Sequence, residues 1–311
     1  MIALGRAEVE ALLEPEALIE AVRSALVDVS AGRASMPPRI AAFSAAGLLG
    51  AMPAWLPSLE VLAAKLVAVF PGNTGAPTHQ AVIVVFDPKD GTPLALLDGT
   101  SITAQRTAAA SALATRLLAR EDASVLAIVG TGVQAESHAR YLALARTFRE
   151  VRVAGRDRAR TAAFAARIGA VAMADIESAV RGADVVCATT HAREPVVRRA
   201  WLKPGAHVNS VGLHAEGSEL DEGVLRAALI AVESRASAFA PPPAGAFELR
   251  GLDPAAAVEL GELAAGTRAG RTAPDQITVY KGVGVAAEDA AAAALVLRRA
   301  NSRGWGAPVR L

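Results

Sequence analysis

The sequence predicts an α/β protein in which a doubly wound parallel sheet is inserted into an N-terminal α+β domain. From residue 124 onward, strand-like and helix-like segments alternate, which is typical of a parallel sheet with helices on both faces. Before that point, strand-like runs are joined by short turn-rich connections, which favour antiparallel pairing. A last helical segment follows the alternating region and is expected to return to the first domain.

The elements of the N-terminal region are predicted from periodicity and turn residues. Residues 15–31 have the apolar spacing of an amphipathic helix. Strand-like runs follow at residues 64–70, 81–87 and 93–97, and the turn between the last two is typical of a hairpin. A long helix is then predicted over residues 102–120, with Ser101 or Thr100 as its candidate N-cap.

The most informative motif is a glycine turn between the first predicted strand of the alternating region and the next helix. Five apolar residues at 125–129 run directly into it. Glycines let the backbone approach a pyrophosphate, whose charge is met by free N–H groups at the helix N-terminus. Because a strand precedes the turn and a helix follows it, the sequence predicts a Rossmann-type dinucleotide site rather than an ordinary strand–helix turn. The predicted cofactor-binding residues are Gly130, Thr131, Gly132, Val133, Gln134 and Ala135, together with Thr189 and Thr190 after a later strand.

The remaining pattern sets the domain boundaries. Residues 1–118 are predicted to form an N-terminal antiparallel domain, completed by a C-terminal helix within residues 286–311. Residues 119–285 are predicted to form the NAD(P)-binding domain. Its strands are expected at residues 125–129, 151–154, 170–173, 184–188, 207–211, 229–232 and 277–280.

The identity of the dinucleotide depends on the end of the second strand, where an acid accepts from the ribose 2′-hydroxyl and an arginine accommodates a 2′-phosphate. The sequence there is Gly155-Arg156-Asp157-Arg158, with no acid at the strand end itself. Arg156 therefore favours NADP(H), although NAD(H) is possible if Asp157 turns to the hydroxyl. The alternative is that these arginines form a solvated face before a helix capped by Asp157.

Composition excludes several other classes of function. The 32 basic and 31 acidic residues nearly cancel and form no long run of one sign, so no nucleic-acid or membrane partner is indicated. We also find no signal peptide and no apolar stretch of membrane-spanning length. Cys187 is the only cysteine and lies in an apolar run, which suits a core residue in a reducing cytoplasm.

Three basic residues of the N-terminal region are candidates for binding an anion. Lys65 lies within an apolar strand, where a lysine is expected either at a sheet edge or at a functional site. Arg39 stands in an otherwise uncharged segment that is equally compatible with a surface loop. Arg106 falls in the early turns of a predicted helix, where the dipole slightly disfavours a cation. An anion shared by Arg106 and the helix N-terminus explains that position, and a substrate carboxylate held by two arginines is the simplest such anion.

Several segments spread over nearly the whole chain resemble the ornithine cyclodeaminase and mu-crystallin family. The residues at 98–112 and 277–284 are particularly specific for this family. The matching segments are Pro37-Pro-Arg39, Lys65-Leu-Val67, Thr78-His-Gln-Ala-Val-Ile-Val-Val-Phe-Asp87, Leu97-Asp-Gly-Thr-Ser-Ile-Thr-Ala-Gln-Arg-Thr-Ala-Ala-Ala-Ser-Ala112, Gly130-Thr-Gly-Val-Gln-Ala135, Glu194-Pro195, Glu259-Leu-Gly-Glu262 and Ile277-Thr-Val-Tyr-Lys-Gly-Val-Gly284.

The resemblance implies a homodimer built through the N-terminal domain and a cofactor that is NAD or NADP. It implies chemistry at a C=N or C–N bond next to a carboxylate. By position, Arg39 and Arg106 would grip that carboxylate, and Lys65 would lie beside the reacting carbon and nitrogen as an electrostatic partner or proton donor.

One departure from the family pattern bears on the reaction. Cyclodeaminases and related alanine dehydrogenases have an aspartate soon after the strand predicted at 207–211, whereas His214 falls at or near that place here. His214 is a candidate acid–base group or a loop residue without a role, and Glu216 is a further alternative. Near the same end of the site, His79 belongs to a segment similar to the ketimine-reducing mu-crystallin pattern.

Three functions are therefore compatible with the sequence. The leading hypothesis is an NAD(P)-dependent imine reductase or amino-acid dehydrogenase. The second is an ornithine cyclodeaminase, which consumes no net cofactor and releases ammonia. The third is a non-catalytic NADP(H)-binding protein of the mu-crystallin type, against which the presence of Lys65 argues, because a pure binder has no need of this lysine.

Overall fold

The computed structural model describes residues 1–310 and divides into two compact units. The first unit contains Met1–Arg106 and the segment that begins at Val285, and the second contains Thr107–Gly284. The first boundary falls within a helix, twelve residues before the predicted boundary at 118/119. The segment after residue 284 belongs to the first unit. The sequence likewise assigned the C-terminal helix to the first domain.

Within residues 1–310 the structure has fifteen strands and ten α-helices. The strands are β1 (Ile2–Leu4), β2 (Ile40–Phe43), β3 (Leu48–Leu56), β4 (Val61–Val69), β5 (His79–Phe86), β6 (Pro93–Asp98), β7 (Val125–Val129), β8 (Glu150–Ala154), β9 (Val171–Ala172), β10 (Val185–Ala188), β11 (His207–Ser210), β12 (Ala228–Val232), β13 (Val258–Glu259), β14 (Ile277–Lys281) and β15 (Ala307–Pro308). The helices are α1 (Arg6–Leu12), α2 (Pro15–Ser30), α3 (Gly99–Leu118), α4 (Val133–Ala145), α5 (Arg158–Ile168), α6 (Ile176–Val180), α7 (Glu222–Ala227), α8 (Arg235–Ala238), α9 (Leu260–Ala265) and α10 (Ala286–Arg303).

The first unit is built on a seven-stranded sheet in the order β15-β1-β6-β5-β4-β3-β2. The strands β2 to β6 pair antiparallel in sequence order, which confirms the pairing expected from their short connections. Alternate residues of β3, β4 and β5 are buried on one face, against which α10 packs, and α10 packs in turn on α2. This face is the core of the unit.

Helix α10 is buried on nearly every side over its first eleven residues. Most of those residues are alanines, whose small side chains let a helix lie close against a sheet without a gap. Two acids, Glu288 and Asp289, are the exceptions in this apolar surface, and both are buried.

The strands β1, β2, β3 and β15 were not predicted. In β3 the internal Gly50 and Pro53 interrupt the run that propensity would need, but pairing along the whole length of β4 compensates for them. The predicted N-cap of α3 was wrong, because the helix begins at Gly99 and the carboxylate of Asp98 accepts from the backbone N–H groups of Thr100 and Ser101. The carboxylate of Asp98 therefore lies at the positive end of the helix, where the sequence predicted an anion shared with Arg106.

The second unit is an eight-stranded parallel sheet in the order β13-β12-β14-β11-β10-β7-β8-β9. All seven predicted strands are present, and the two-residue β13 was missed because it is too short for a pattern. From β7 the chain runs outward to β8 and β9 and then returns to the other side of β7 with β10. This reversal is the topological switch point at which Rossmann-type sheets bind their ligands.

The core of the second unit contains apolar residues of β7, β10, α4 and α5, including Ile128, Leu142, Phe164 and Val185. Cys187 belongs to this cluster and is buried, and burial raises the pKa of its thiol. In residues 1–310 we find no helix long and apolar enough to cross a membrane.

Candidate active site

The glycine turn after β7 has the geometry that a dinucleotide requires. Gly130 has a φ of +121°, in a region that side chains other than glycine rarely adopt. A Cβ atom there would lie 2.5 Å from the Oγ1 of Thr189, so the turn is also too close to its neighbour for any side chain. Ala135 is fully buried, in agreement with its place at the third small position of the motif.

The N-terminus of α4 is open. Its N-cap, Gly132, provides no side-chain cap, and a Cβ built on it meets no atom within 4 Å. The side chain of Val133 is 69% exposed, while the side-chain oxygen of Gln134 is buried without a hydrogen-bond partner. An uncapped helix end with open space and an unsatisfied polar atom fits a phosphate-bearing ligand.

Thr189 and Thr190 lie on the other side of the switch point, directly after β10. Thr189 donates from its backbone N–H and from its hydroxyl to the carbonyl of Val129, at 2.9 and 3.0 Å. Thr190 is fixed by the buried carboxylate of Glu219, which accepts from its backbone N–H at 2.6 Å and from its hydroxyl at 2.7 Å. The structure thus brings together the two groups of residues that the sequence assigned to the cofactor.

The same carboxylate also joins the ends of β10 and β11. The other oxygen of Glu219 accepts from the hydroxyl of Ser210 and the N–H of Gly212, both at 2.8 Å. The buried Lys281 ammonium, at the end of β14, donates to Ser210 and Gly212 and is paired with Glu248. These contacts hold the carboxyl edge of the sheet in one arrangement, and sequence reasoning missed them because Glu219 and Lys281 are far apart in the chain.

The end of β8 carries no acid. Gly155 follows the strand, and Arg156 is exposed directly after it. Asp157 is the N-cap of α5, and its carboxylate accepts from the backbone N–H of Arg160 at 3.0 Å. The capping role considered for Asp157 is therefore present, and the exposed Arg156 is compatible with both alternatives, a solvated face or a contact with a 2′-phosphate.

Lys65 lies in the first unit at the centre of the sheet rather than at an edge. Its strand β4 has neighbours on both sides, and its side chain is 2% exposed. The ammonium forms an ion pair with the Oδ2 atom of Asp289 at 2.7 Å and approaches the hydroxyl of Thr103 at 3.4 Å. Burial lowers the pKa of Lys65 to about 8, a shift to which Arg106 and Arg39 add and which Asp289 opposes.

Arg106 is buried beside Lys65 and bound by two carboxylates. Its Nη1 atom donates to Glu288 at 2.6 Å, and its Nε atom donates to the Oδ1 atom of Asp289 at 2.9 Å. The sequence did not predict these two acids of α10 as partners of Arg106, and the predicted contact of Arg106 with a substrate carboxylate stays a prediction. Arg106 and Lys65 hold the pKa of Asp289 below its ordinary value although burial alone would raise it.

Arg39 and His79 complete this group. Arg39 is half-buried, and its positive charge reaches both Lys65 and His79. Burial, reinforced by the charges of Lys65 and Arg106, lowers the pKa of His79 to about 4, so that its imidazole is neutral at pH 7. The group then contains three cationic side chains and two carboxylates, which gives it a formal net charge of one positive unit. We call Arg39, Lys65, His79, Arg106 and Asp289, with Glu288, the basic cluster.

His214 lies in the second unit, in the loop after β11. Its Nδ1 atom accepts from the backbone N–H of Glu216 at 3.1 Å, and the Nε atom of Arg193 approaches its Nε2 atom at 3.3 Å. Its ring centroid is 4.7 Å from that of His191. Glu216 is exposed. His214 is therefore held within a loop, and its predicted role in catalysis stays a prediction.

Glu288 and Asp289 are the members of the basic cluster that the sequence did not reveal. Acids in the first turn of a helix are common and favourable, so they had an ordinary explanation. The sequence did contain one indication that these acids are unusual. They are adjacent, and they interrupt a run in which nearly every other residue is alanine. A fully buried helix tolerates such acids when cations face them.

A Rossmann-type sheet with an open glycine turn is typical of dinucleotide-binding proteins, and in this chain it occurs together with a buried basic cluster. Comparison with known proteins then gives the family. The model of the ornithine cyclodeaminase/mu-crystallin family matches residues 1–304, and the chain belongs to this family.

Relatives with assigned activities cover most or all of the chain. Ketimine reductase mu-crystallin of Mus musculus is 42% identical over 255 residues, which are 80% of each protein. The structure of Δ1-pyrroline-2-carboxylate reductase from Thermococcus litoralis, in complex with NADH and L-proline, is 33% identical and superposes with a TM-score of 0.92 over 99% of this chain and 100% of that chain. An archaeal alanine dehydrogenase dimer with bound NAD is 30% identical, with a TM-score of 0.93 over 100% and 99% of the two chains.

Proposed function

We propose that the chain is an NAD(P)H-dependent reductase of small carboxylates that carry a C=N bond next to the carboxylate carbon. The observation that carries this proposal is the basic cluster, whose net positive charge suits one carboxylate and which contains an ammonium with a pKa of about 8. The ketimine reductase and pyrroline-2-carboxylate reductase among the relatives support the same reaction class.

The cluster supplies what imine reduction needs from the protein. A reduced nicotinamide cofactor, held by the glycine turn at Gly130 and Gly132, would supply the hydride, with its two electrons, for the imine carbon. Arg39 and Arg106 attract and orient the substrate carboxylate, for which a guanidinium is a matched donor. The ammonium of Lys65 holds a proton at pH 7 and gives it up readily, so it can keep the imine nitrogen protonated. A protonated imine accepts hydride far more readily than a neutral one.

We propose further that NADPH is the preferred reductant. Arg156 is exposed directly after β8, no acid stands at the end of that strand, and Asp157 is engaged as the N-cap of α5. The relatives with bound cofactor hold NADH or NAD, so this preference would distinguish the present chain from them. Replacement of Arg156 by Ala is expected to raise the KM for NADPH about 10- to 100-fold, as for the loss of a charge-assisted hydrogen bond, and to leave the KM for NADH nearly unchanged.

We also propose that the chain forms a homodimer through the outer face of the first sheet. Ile40, Leu66 and Val82 form an apolar row across this face, since Ala51 links Ile40 to Leu66 and Leu66 pairs directly with Val82. Their side chains are 68%, 39% and 42% exposed, and the neighbouring Leu49 is 51% exposed. A contiguous apolar patch of this kind is typical of an interface, and a dimer of the related alanine dehydrogenase supports a second copy as the occupant.

The proposed reaction is tested by following oxidation of NADPH, and separately of NADH, in the presence of Δ1-pyrroline-2-carboxylate. We expect steady oxidation that depends on the imine, with L-proline as the product. A parallel assay with L-ornithine and NAD measures ammonia. Ammonia release without net change in the cofactor would contradict the proposal and indicate a cyclodeaminase.

A Lys65→Met variant separates chemistry from binding. It should retain binding of NADPH, measured by quenching of protein fluorescence, and lose about 10²- to 10⁴-fold in kcat, the usual contribution of a general acid. Undiminished turnover by this variant would show that Lys65 does not supply the proton.

A further inference from the structure

Asp289 connects the two side chains of the basic cluster that the proposed reaction needs most. One carboxylate oxygen is paired with Lys65 and the other with Arg106, so a single side chain fixes both. We propose that Asp289 is a positioning residue that keeps Lys65 protonated and holds it at a set distance from Arg106 during the reaction. This inference rests on the proposed function and extends it to a residue that no sequence motif indicated.

The geometry of the pair supports this role. The two ion-pair distances are 2.7 Å to Lys65 and 2.9 Å to Arg106, and all three side chains are at most 5% exposed. A carboxylate that bridges two cations defines the direction of both because its oxygens lie in one plane. Helix α10 is packed against β3, β4 and β5, so the carboxylate is attached to a rigid element.

The other charges around Lys65 oppose its protonation. Arg106 from α3 and Arg39 from the segment before β2 are both cationic, and His79 from β5 is neutral at pH 7. The residues directly opposite Lys65 on β3 and β5 are Met52 and Ile83, which carry no charge. The ion pair of Lys65 is with Asp289, while Glu288 on the same helix turn is paired with Arg106.

The burial of this carboxylate is difficult to explain by stability alone. Buried ion pairs are often no more stabilising than apolar residues of similar size, because removing the charges from water offsets their attraction. The rest of the buried surface of α10 is almost entirely alanine, which shows that an apolar residue packs well in this helix. A requirement for a protonated lysine beside an arginine explains why a carboxylate is present here.

The proposal is tested with the Asp289→Asn variant, which keeps the shape of the side chain and removes its charge. The pKa of Lys65 is measured by NMR on protein with 13C-labelled lysine, in which four lysines give four signals and the Lys65→Met variant assigns one. We expect the pKa of Lys65 to fall by about 1 to 3 in Asp289→Asn, the usual effect of one close opposite charge. The alkaline limb of the kcat/KM profile should move to lower pH by the same amount.

The matched control is Glu288→Gln, which removes a buried carboxylate from the same helix turn. It should alter the KM for the substrate through Arg106 and shift the pKa of Lys65 by much less than Asp289→Asn. Equal shifts in the two variants, or an unchanged pKa in Asp289→Asn, would overturn the proposal.

A reciprocal measurement covers the case in which Asp289→Asn does not fold. In Lys65→Met the carboxyl of Asp289, followed with 13C-labelled aspartate, should have a higher pKa than in the unaltered protein, and an unchanged value would overturn the proposal. Because both titrations are read without turnover, they are independent of the reaction assay. A protein that shows the pairing and reduces no imine would refute the proposed function and leave the pairing of Asp289 with Lys65 established.

Discussion

Lys65 shows how far the setting of a single residue changes its chemistry. In water the pKa of its ammonium would be 10.5, whereas burial lowers this pKa to about 8. Without Asp289 the burial and the two arginines would lower it further. The ammonium is therefore both present at neutral pH and able to release its proton, which is the condition for a useful general acid.

The two arginines of the basic cluster are expected to respond differently to replacement. Arg106→Met leaves the carboxylates of Glu288 and Asp289 buried beside an apolar side chain, which should reduce the free energy of unfolding by about 3 to 5 kcal/mol. Arg39 is only half-buried, so Arg39→Met should reduce the free energy of unfolding much less than Arg106→Met. It should raise the KM for the imine about 10- to 100-fold.

Urea denaturation and steady-state kinetics on both variants check this contrast. Equal losses of stability would show that Arg39 is as important to the fold as Arg106. An unchanged KM in Arg39→Met would remove Arg39 from the substrate site.

At the scale of elements, the turn between β7 and α4 joins the fold to cofactor binding. Its two glycines serve different purposes. Gly130 is required by the backbone, because of its φ of +121° and the close approach of Thr189, whereas Gly132 has an ordinary φ of −93° and faces open space. The first glycine is needed by the protein itself, and we propose that the second is needed by the cofactor.

This difference gives a matched pair of variants. Gly130→Ala should lower the free energy of unfolding by more than about 1 kcal/mol, since the added methyl group is strained and meets Thr189. Gly132→Ala should leave stability nearly unchanged and weaken dinucleotide binding, because its methyl group points into the space at the uncapped helix end. Thermal unfolding and calorimetric titration with NADPH distinguish the two effects. Tight NADPH binding by Gly132→Ala would place the pyrophosphate elsewhere.

For the whole molecule, the proposed homodimer makes a concentration-dependent prediction. Leu66→Asp puts a charge at the centre of the exposed apolar row and should convert the dimer into monomers in analytical ultracentrifugation. Val171→Asp is the matched control, since Val171 is 51% exposed and lies in the other unit. Dissociation by both variants, or by neither, would argue against this face as the interface.

Stability should also depend on pH through histidines that are buried in neutral form. Burial lowers the pKa of His138 to about 4 and that of His207 to about 3, from 6.5 in the unfolded chain. Below pH 6.5 these histidines bind protons in the unfolded state but not in the folded state. Their contribution to the free energy of unfolding is therefore fully present above pH 6.5 and is lost as the pH falls toward the folded-state pKa values. Each of the two histidines should lower the free energy of unfolding by about 2 kcal/mol between pH 7 and pH 5.

Urea denaturation between pH 7 and pH 5 measures this loss. A His138→Gln variant should show a smaller decrease over the same interval, whatever its stability at pH 7. The carboxyl groups of Asp28, Asp184 and Asp289 also have lowered pKa values. Their protonation changes the free energy of unfolding only below about pH 4, outside the measured interval. A decrease equal to that of the unaltered protein would show that His138 is protonated in the folded state.

Features that depend on residues close together in the chain could be predicted before the fold was known. Apolar runs and turn residues predicted seven of the eight parallel strands of the second unit to within one residue at each end, and β7 with its observed bounds of 125–129. The glycine turn was recognisable because its strand, glycines and helix are contiguous. The family was recognisable for a related reason, since its motifs are short segments in a fixed order.

The pairing of residues that are distant in the chain is visible only in the folded molecule. It placed Lys65 in an interior strand and set it against Asp289, 224 positions later in the chain, and it paired Arg106 with Glu288 and Asp289. Charges separated by so much sequence have no local pattern, because their distance is fixed by sheet order and helix packing rather than by spacing. The chemistry of this site therefore follows from packing, whereas its cofactor motif follows from the sequence.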